Sequence, residues 1–252
     1  NVLSGHDHDG DGVHDVVASA PTDSRGATNA GAVFGFLDAG GLRGEVGVEG
    51  ADLVFSNQYA GSAMVPIRIG DATDDGLHDL AFYLNLTFEE GPGALLVAGG
   101  DPFGVYDVEA ASFAQLYAAG HAMAAVRDFD GDGGGELLVA DGGVGRYNLP
   151  LSGYVTPWDN AESRLLFADT AYSVSAVSSD VNGYVGHSAI VLMGANYEGS
   201  RGFLSVERPY WDESAAVDDA TFVAIGEAAG DYFGGTLGTI DIDGDAVVDL
   251  TV

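Results

Sequence analysis

The chain has 252 residues, is 46% hydrophobic and holds only seven prolines, enough for one large all-β domain or two small ones and too apolar for an acidic disordered tail. Its formal charge is −31 and all eight basic residues are arginine, which disfavours nucleic acid and anionic lipid as partners. Cysteine is absent, which excludes disulfides and thiolate chemistry, and no run of 18 apolar residues occurs that would insert into a membrane.

From the N-terminus, Asn1-Val2-Leu3-Ser4 lacks the basic and apolar regions of a signal peptide, and the start reads as that of a mature or trimmed chain. An acidic phrase then recurs five times. Asp7-His8-Asp9-Gly10-Asp11-Gly12-Val13-His14-Asp15 is followed by Asp71-Ala72-Thr73-Asp74-Asp75-Gly76-Leu77-His78-Asp79 and by Asp128-Phe129-Asp130-Gly131-Asp132-Gly133-Gly134-Gly135-Glu136. Asp180-Val181-Asn182-Gly183-Tyr184-Val185-Gly186-His187-Ser188 is a decayed fourth copy, and Asp241-Ile242-Asp243-Gly244-Asp245-Ala246-Val247-Val248-Asp249 is the fifth. The starts lie 64, 57, 52 and 61 residues apart, so the phrase marks an internal repeat. It holds 17 of the 39 acidic residues; the rest of the charge suggests a saline or extracellular setting.

Each phrase leads into a short apolar run suited to a buried strand: Val16-Val17-Ala18, residues 80–84, 137–140, 190–193 and 250–252. A glycine-led strand is expected next, at 31–36, 93–97 and 202–206, with a weaker candidate at Gly153-Tyr154-Val155 in the third interval. A third strand follows at 52–55, 112–116, 164–167 and 221–225. Aromatic and small residues then intervene (Tyr59-Ala60-Gly61-Ser62, Tyr117-Ala118-Ala119-Gly120, Tyr172-Ser173, Tyr232-Phe233-Gly234-Gly235) before a strand such as 122–126 that enters the next acidic loop. Four short strands per period of about 60 residues is the pattern of a β-propeller blade. Helical and βαβ readings fail because 39 glycines interrupt any helical run.

The phrase has the oxygen-ligand spacing of a calcium loop. Side chains at positions 1, 3 and 5 converge as the loop curls, position 7 offers a carbonyl, position 9 closes the shell, and a glycine at position 6 eases the turn. The expected ligand sets are Asp7, Asp9, Asp11, the Val13 carbonyl and Asp15; Asp71, Thr73, Asp75, the Leu77 carbonyl and Asp79; Asp128, Asp130, Asp132, the Gly134 carbonyl and Glu136; and Asp241, Asp243, Asp245, the Val247 carbonyl and Asp249, with Ala246 in the glycine position. Four calcium ions are therefore expected. The loop at Asp180 is expected to be empty or weak, because Tyr184 and Ser188 stand where carboxylates are needed. An EF-hand is excluded: its twelfth-position Glu is replaced by Ala18, Phe82, Val139, Val191 and Val252, all within expected strands.

The unit resembles the FG-GAP repeat of the integrin α-subunit β-propeller and its bacterial relatives. Phe233-Gly234 before Asp241-Ile242-Asp243-Gly244-Asp245 and Asp249-Leu250-Thr251-Val252 follows that family's order of aromatic-Gly pair, calcium loop and strand. Val16-Val17-Ala18-Ser19-Ala20-Pro21 leading into Gly31-Ala32-Val33-Phe34 resembles the segment that gives the family its second name. The likeness spans nearly the whole chain and departs where Tyr59-Ala60 and Tyr117-Ala118 replace the Phe-Gly pair. It implies that residues 1–252 form a single β-propeller domain or a propeller fragment, with about four full blades and the first hairpin of a fifth. Family propellers usually have seven blades.

Other residues point less sharply. His14, His78 and His187 recur at position 8, but separate blades would hold them too far apart for a shared zinc site; His6 and His8 are expected to be solvated. Trp158 and Tyr210-Trp211 sit in polar stretches and either cover blade edges or stack on a sugar or protein partner. Asn85-Leu86-Thr87 is a glycosylation sequon. No catalytic arrangement stands out: the Gly-x-Ser-x-Gly elbow, the phosphate loop and His-Glu-x-x-His are all missing. The expected function is noncatalytic: a calcium-binding extracellular or cell-surface module for adhesion or for recognising a protein or glycan ligand. The alternatives are a polysaccharide-active enzyme or lectin on the same propeller, and a purely structural element of a long surface protein.

Overall fold

The structure, a computed structural model, describes residues 2–86, 92–100, 104–117, 122–127, 135–140, 143–155, 163–166, 171–178, 189–195, 203–206, 222–228, 230, 238–240 and 249–251. Among these, strands dominate, and they follow the acidic phrase. The first repeat supplies β1 (Val2–His6), β2 (Asp15–Ala20), β3 (Ala32–Phe36) and β4 (Leu53–Ser56), with 3-10 turns at Ala39–Gly41 and Val48–Gly50. The second supplies β5 (Val65–Gly70), β6 (Asp79–Tyr83), β7 (Ala94–Val97), β8 (Gly104–Asp107), the single-turn helix α1 (Val108–Ala111) and β9 (Ala114–Leu116). The third supplies β10 (Ala122–Arg127), β11 (Gly135–Ala140), β12 (Gly143–Asn148), β13 (Gly153–Val155) and β14 (Ser163–Leu166). The fourth has β15 (Ala171–Ser178), β16 (Ala189–Ala195), β17 (Phe203–Val206) and β18 (Phe222–Ile225), and the fifth opens with β19 (Gly238–Ile240) and β20 (Asp249–Thr251).

The chain divides into two compact units, Asn1–Ala119 with Leu151–Thr156, and Gly120–Pro150 with Pro157–Val252. In the first unit, β1-β2-β3-β4 and β5-β6-β7-β9 are two antiparallel meanders, and β1 and β2 pack against β5. In the second unit, β10-β11-β12-β14 and β15-β16-β17-β18 repeat the arrangement, β19 and β20 form a hairpin, and β15 touches both β10 and β19. Every meander places the acidic phrase between its first two strands.

The hydrophobic residues explain why these segments are strands. Val33, Phe34, Leu95 and Leu96 lie on middle strands and are buried irrespective of the face they occupy, which is the pattern of a sheet covered on both sides. Val17, Val33, Leu53, Phe55, Leu80, Phe82, Leu95 and Val108 form one core cluster, in which the Phe55 and Phe82 rings lie 4.8 Å apart. Burying a ring such as Phe82 contributes roughly 2–3 kcal/mol.

Two strands break the meander in the same way. β8, from the connection between the third and fourth sheet strands of repeat two, pairs in parallel with β4, the outer strand of repeat one. β13, from the matching connection of repeat three, pairs in parallel with β9, the outer strand of repeat two. The expectation that Gly153-Tyr154-Val155 is the glycine-led strand of the third repeat is therefore corrected: β12 holds that place, paired with β11, while β13 covers the preceding sheet's edge. β12 escapes sequence patterning because its alternation runs through glycine and arginine, although Arg146 and Tyr147 are buried.

Candidate metal centres

The first acidic loop curls as its aspartates and glycines require. The Asp7 carboxylate accepts from the Gly10 and Gly12 N–H groups at 2.8 and 2.9 Å, and Asp11 Oδ1 accepts from Val13 N–H at 2.7 Å. Gly10 has φ 78°, the left-handed conformation that favours glycine, and it lies against the end of the Leu77 side chain of the second loop. Asp15 opens β2 and is buried; its Oδ2 accepts from His8 N–H at 2.7 Å and its Oδ1 from Asp38 N–H at 3.2 Å. The outcome is that Asp7, Asp9 and Asp15 each bring a carboxylate oxygen within 4.8 Å of the others.

Asp11 stands outside that triad, hydrogen-bonded to Asp38. The nearby Asp11 carboxylate raises the Asp38 pKa, since its negative charge and its hydrogen bond both favour the protonated form of Asp38. Asp38 was not singled out from the sequence. It lies well beyond the phrase in the chain, and its left-handed backbone (φ 55°) is what turns it back toward the loop.

The second loop repeats the hydrogen-bond scheme, but among the described residues Asp71, Asp75 and Asp79 do not converge as Asp7, Asp9 and Asp15 do. Asp71 accepts from Asp75 and Gly76 N–H at 3.1 and 3.0 Å, and Asp75 accepts from Leu77 N–H at 2.8 Å. Buried Asp79 accepts from Ala72 and Thr73 N–H at 2.6 and 2.9 Å and from Gly99 N–H at 2.8 Å. At position 3, the Thr73 hydroxyl oxygen is buried and makes no hydrogen bond. A buried oxygen without a donor is destabilising on its own and is suited to a cation.

In both loops the ninth-position carboxylate thus clamps the loop to the turn that follows the third sheet strand. Burial raises the pKa of Asp15 and of Asp79, against the N–H groups that favour their ionised forms. A divalent cation would relieve the same cost. Hard carboxylate and hydroxyl oxygens of this kind suit a hard cation such as calcium, magnesium or manganese.

The two loops also touch. His78 Nδ1 receives Asp7 N–H at 3.5 Å, and His8 O accepts from Gly100 N–H at 2.7 Å. His8, expected to be solvated, is 1% exposed; burial lowers its pKa, and its ring bonds the backbone of His78. Its place between two packed loops is the physical reason for that correction.

Of the other expected ligands, Val13 and Leu77 lie in their loops with N–H groups held by Asp11 and Asp75. Glu136, the ninth position of the third loop, is fully buried on β11. It faces Val126 in the ladder, whereas Asp15, Asp79 and Asp249 face His6, Gly70 and Ile240, so the third hairpin closes one residue differently. Asp128, Asp130, Asp132 and Gly134 lie outside the described residues, as do the fourth phrase at Asp180, residues Asp241, Asp243, Asp245 and Val247, and the tryptophans Trp158 and Trp211. Asn85 of the sequon is exposed, and Thr87 is outside the described residues.

A second site-shaping residue sits after β4. Asn57 is buried, donates from Nδ2 to Ala30 O at 2.9 Å, and accepts at Oδ1 from Tyr59 N–H and the Ser62 hydroxyl. Tyr59 beside it bonds Glu109 of α1, and burial together with that carboxylate raises the tyrosine pKa. No family model matches the chain, and no curated protein matches it.

Proposed function

We propose that the chain is a noncatalytic, calcium-binding β-propeller segment of the FG-GAP type, working at an extracellular or cell-surface site in adhesion or in recognition of a protein or glycan. The observation that carries the calcium reading is the triad of Asp7, Asp9 and Asp15 in a loop whose hydrogen-bond scheme recurs around Asp79. Serial four-stranded meanders with the acidic hairpin always between strands one and two support the blade reading. So does the way the first strands, β1 with β5 and β15 with β10 and β19, approach one another inside each unit. A ring of blades brings first strands together around an axis and leaves fourth strands at the rim.

The ions would act on stability rather than on chemistry. Each would tie the first and second strands of a meander together and offset repulsion among carboxylates that the loop forces into proximity. Binding at a hundredfold excess over Kd adds about 2.7 kcal/mol per site. In a chain of this size that is worth about 5–10 °C in Tm per site. Calorimetric titration of chelator-stripped protein is expected to count four calcium ions, with Tm falling in chelator and recovering on addition of calcium. Indifference of Tm to both reagents would sink the reading.

A further inference from the structure

We propose that Tyr59, Tyr117 and Tyr154, together with Glu109, form a recognition site for a quaternary ammonium group. The site would serve the recognition role proposed above, and it is built without any residue of the calcium loops.

The four residues come from three successive repeats and meet within the first unit, Asn1–Ala119 with Leu151–Thr156. Tyr59 lies in the turn after β4, its N–H held by Asn57 Oδ1 at 2.8 Å and its side chain packed on the core cluster. Glu109 stands in the single turn α1, where Asp107 accepts from the Glu109 and Ala110 N–H groups at 3.0 and 3.3 Å. Val108 beside it is fully buried in the core cluster, which anchors the turn. From there the Glu109 side chain reaches the first repeat, bonding the Tyr59 hydroxyl and accepting from Gln58 Nε2.

The other wall is the edge that β9 and β13 make. β13 pairs in parallel with β9 and sets Tyr154 opposite Gln115, and the Tyr117 N–H prolongs the ladder by donating to Val155 O at 3.0 Å. Gln115, Tyr117 and Tyr154 therefore rise from one face of the sheet. The Tyr117 and Tyr154 rings lie 5.7 Å apart at 45°, and Tyr154 keeps 72% of its surface exposed. Tyr59 is close enough to both phenols for their charges to bear on it.

Three features select a cation. The rings offer the negative potential of their faces, on which an organic cation is attracted without a hydrogen bond. Glu109 is held by two neutral donors, so its charge is oriented but not cancelled, and the Gln115 amide oxygen is buried without a hydrogen bond. Burial, then the Glu109 hydrogen bond and charge, raises the Tyr59 pKa; burial, then the charges of Tyr154 and Glu109, raises that of Tyr117. The chain's charge of −31 concentrates cations around it and repels anionic ligands. A carboxylate already engaged by two donors acts on a ligand as a nearby charge more than as a hydrogen-bond partner. That favours a methylated ammonium, which needs only ring faces and negative potential, over a strongly hydrated primary ammonium.

The test is calorimetric titration of the full chain in calcium with tetramethylammonium and with choline, sodium chloride holding the ionic strength constant. Saturable binding is expected with a Kd of about 1 mM or tighter, and 3,3-dimethylbutan-1-ol, the neutral isostere of choline, should bind about tenfold more weakly. Tyr154→Ala, at an exposed position, should weaken binding by about tenfold, while Tyr154→Phe keeps the ring and stays within about twofold of the parent. Glu109→Gln should weaken it by about fivefold at low salt and by less at high salt. A trimethyllysine peptide that binds more tightly than choline assigns the group to a protein partner, and the reverse order assigns it to a choline headgroup; either upholds the site. Absence of saturable binding overturns it, as does equal binding of the neutral isostere, of the unmethylated lysine peptide, or of choline by Tyr154→Ala. A chain that takes up its calcium ions but no quaternary ammonium overturns this site and leaves the calcium reading standing.

Discussion

At the scale of single residues, Thr73 separates two contributions that the aspartates mix together. In the first two loops each candidate aspartate, Asp7, Asp9, Asp11, Asp15, Asp71, Asp75 and Asp79, also accepts backbone N–H groups, so removing one disturbs the turn whether or not an ion is involved. The Thr73 hydroxyl has no hydrogen bond to lose. Thr73→Val removes a buried oxygen of uncompensated polarity and keeps the side-chain shape, so in chelator the variant should match or exceed the parent by up to about 1 kcal/mol. In calcium the sign reverses. The second loop loses an oxygen ligand, its affinity drops by about tenfold, the calcium increment shrinks by about 1.4 kcal/mol, and the parent becomes the more stable by roughly 0.4–1.4 kcal/mol. Urea denaturation of both proteins, with and without calcium, reads the crossover. A variant less stable than the parent in chelator would show that the hydroxyl is satisfied in solution, and an identical calcium increment would remove Thr73 from the ligand set.

At the scale of elements, the stability of each meander depends on how its fourth strand is tied to the start of its third. In the first meander Asn57 makes that tie: its side chain spans from the end of β4 to the carbonyl of Ala30 just before β3, and the Ser62 hydroxyl reaches the same carbonyl at 2.9 Å. Asn57→Ala strands the Tyr59 N–H and takes one donor from the Ala30 carbonyl, which keeps the Met64 N–H at 3.2 Å and the Ser62 hydroxyl. The expected loss is about 1–3 kcal/mol with an unchanged urea m-value. A loss below about 0.5 kcal/mol, the usual range for surface changes, would mean that water replaces the network. Asn57 also illustrates what was legible in advance and what was not. The acidic hairpins and their flanking strands could be read because glycine, aspartate and apolar runs act locally, within the span of one hairpin. The pairing of the short strands β8 and β13 could not, since three or four residues carry too little alternation to show which sheet they join, and their partners lie in the previous repeat. The pairing that decides their structure is therefore invisible to periodicity. Gly153-Tyr154-Val155 shows the cost: it reads as a strand, correctly, but its glycine-led look suggests the wrong sheet. The same non-locality hid Asp38 and the burial of His8, both set by contacts between a loop and a distant turn.

At the scale of the whole molecule, the charge of −31 acts as a distributed load on every sheet. With 39 acidic residues against eight arginines, few anions can have a cationic partner; Asp23 with Arg25 at 3.3 Å is one ion pair that forms. Self-repulsion of this kind favours the expanded state and is carried over distances comparable to the Debye length, which shrinks from about 30 Å at 0.01 M salt to about 10 Å at 0.1 M. In chelator, raising sodium chloride from about 0.01 to 0.5 M should therefore stabilise the chain by about 1–2 kcal/mol, seen as a rise in Tm of roughly 3–8 °C. Chloride is the right anion for the test, because sulfate would also strengthen apolar burial. Calcium bound in the acidic loops neutralises the densest part of the load directly, so the same salt series run with saturating calcium should give a shallower slope. Equal slopes would mean that the repulsion resides in the acidic residues outside the loops. A Tm that ignores salt under both conditions would mean that the anions are already spaced widely enough for water alone to screen them.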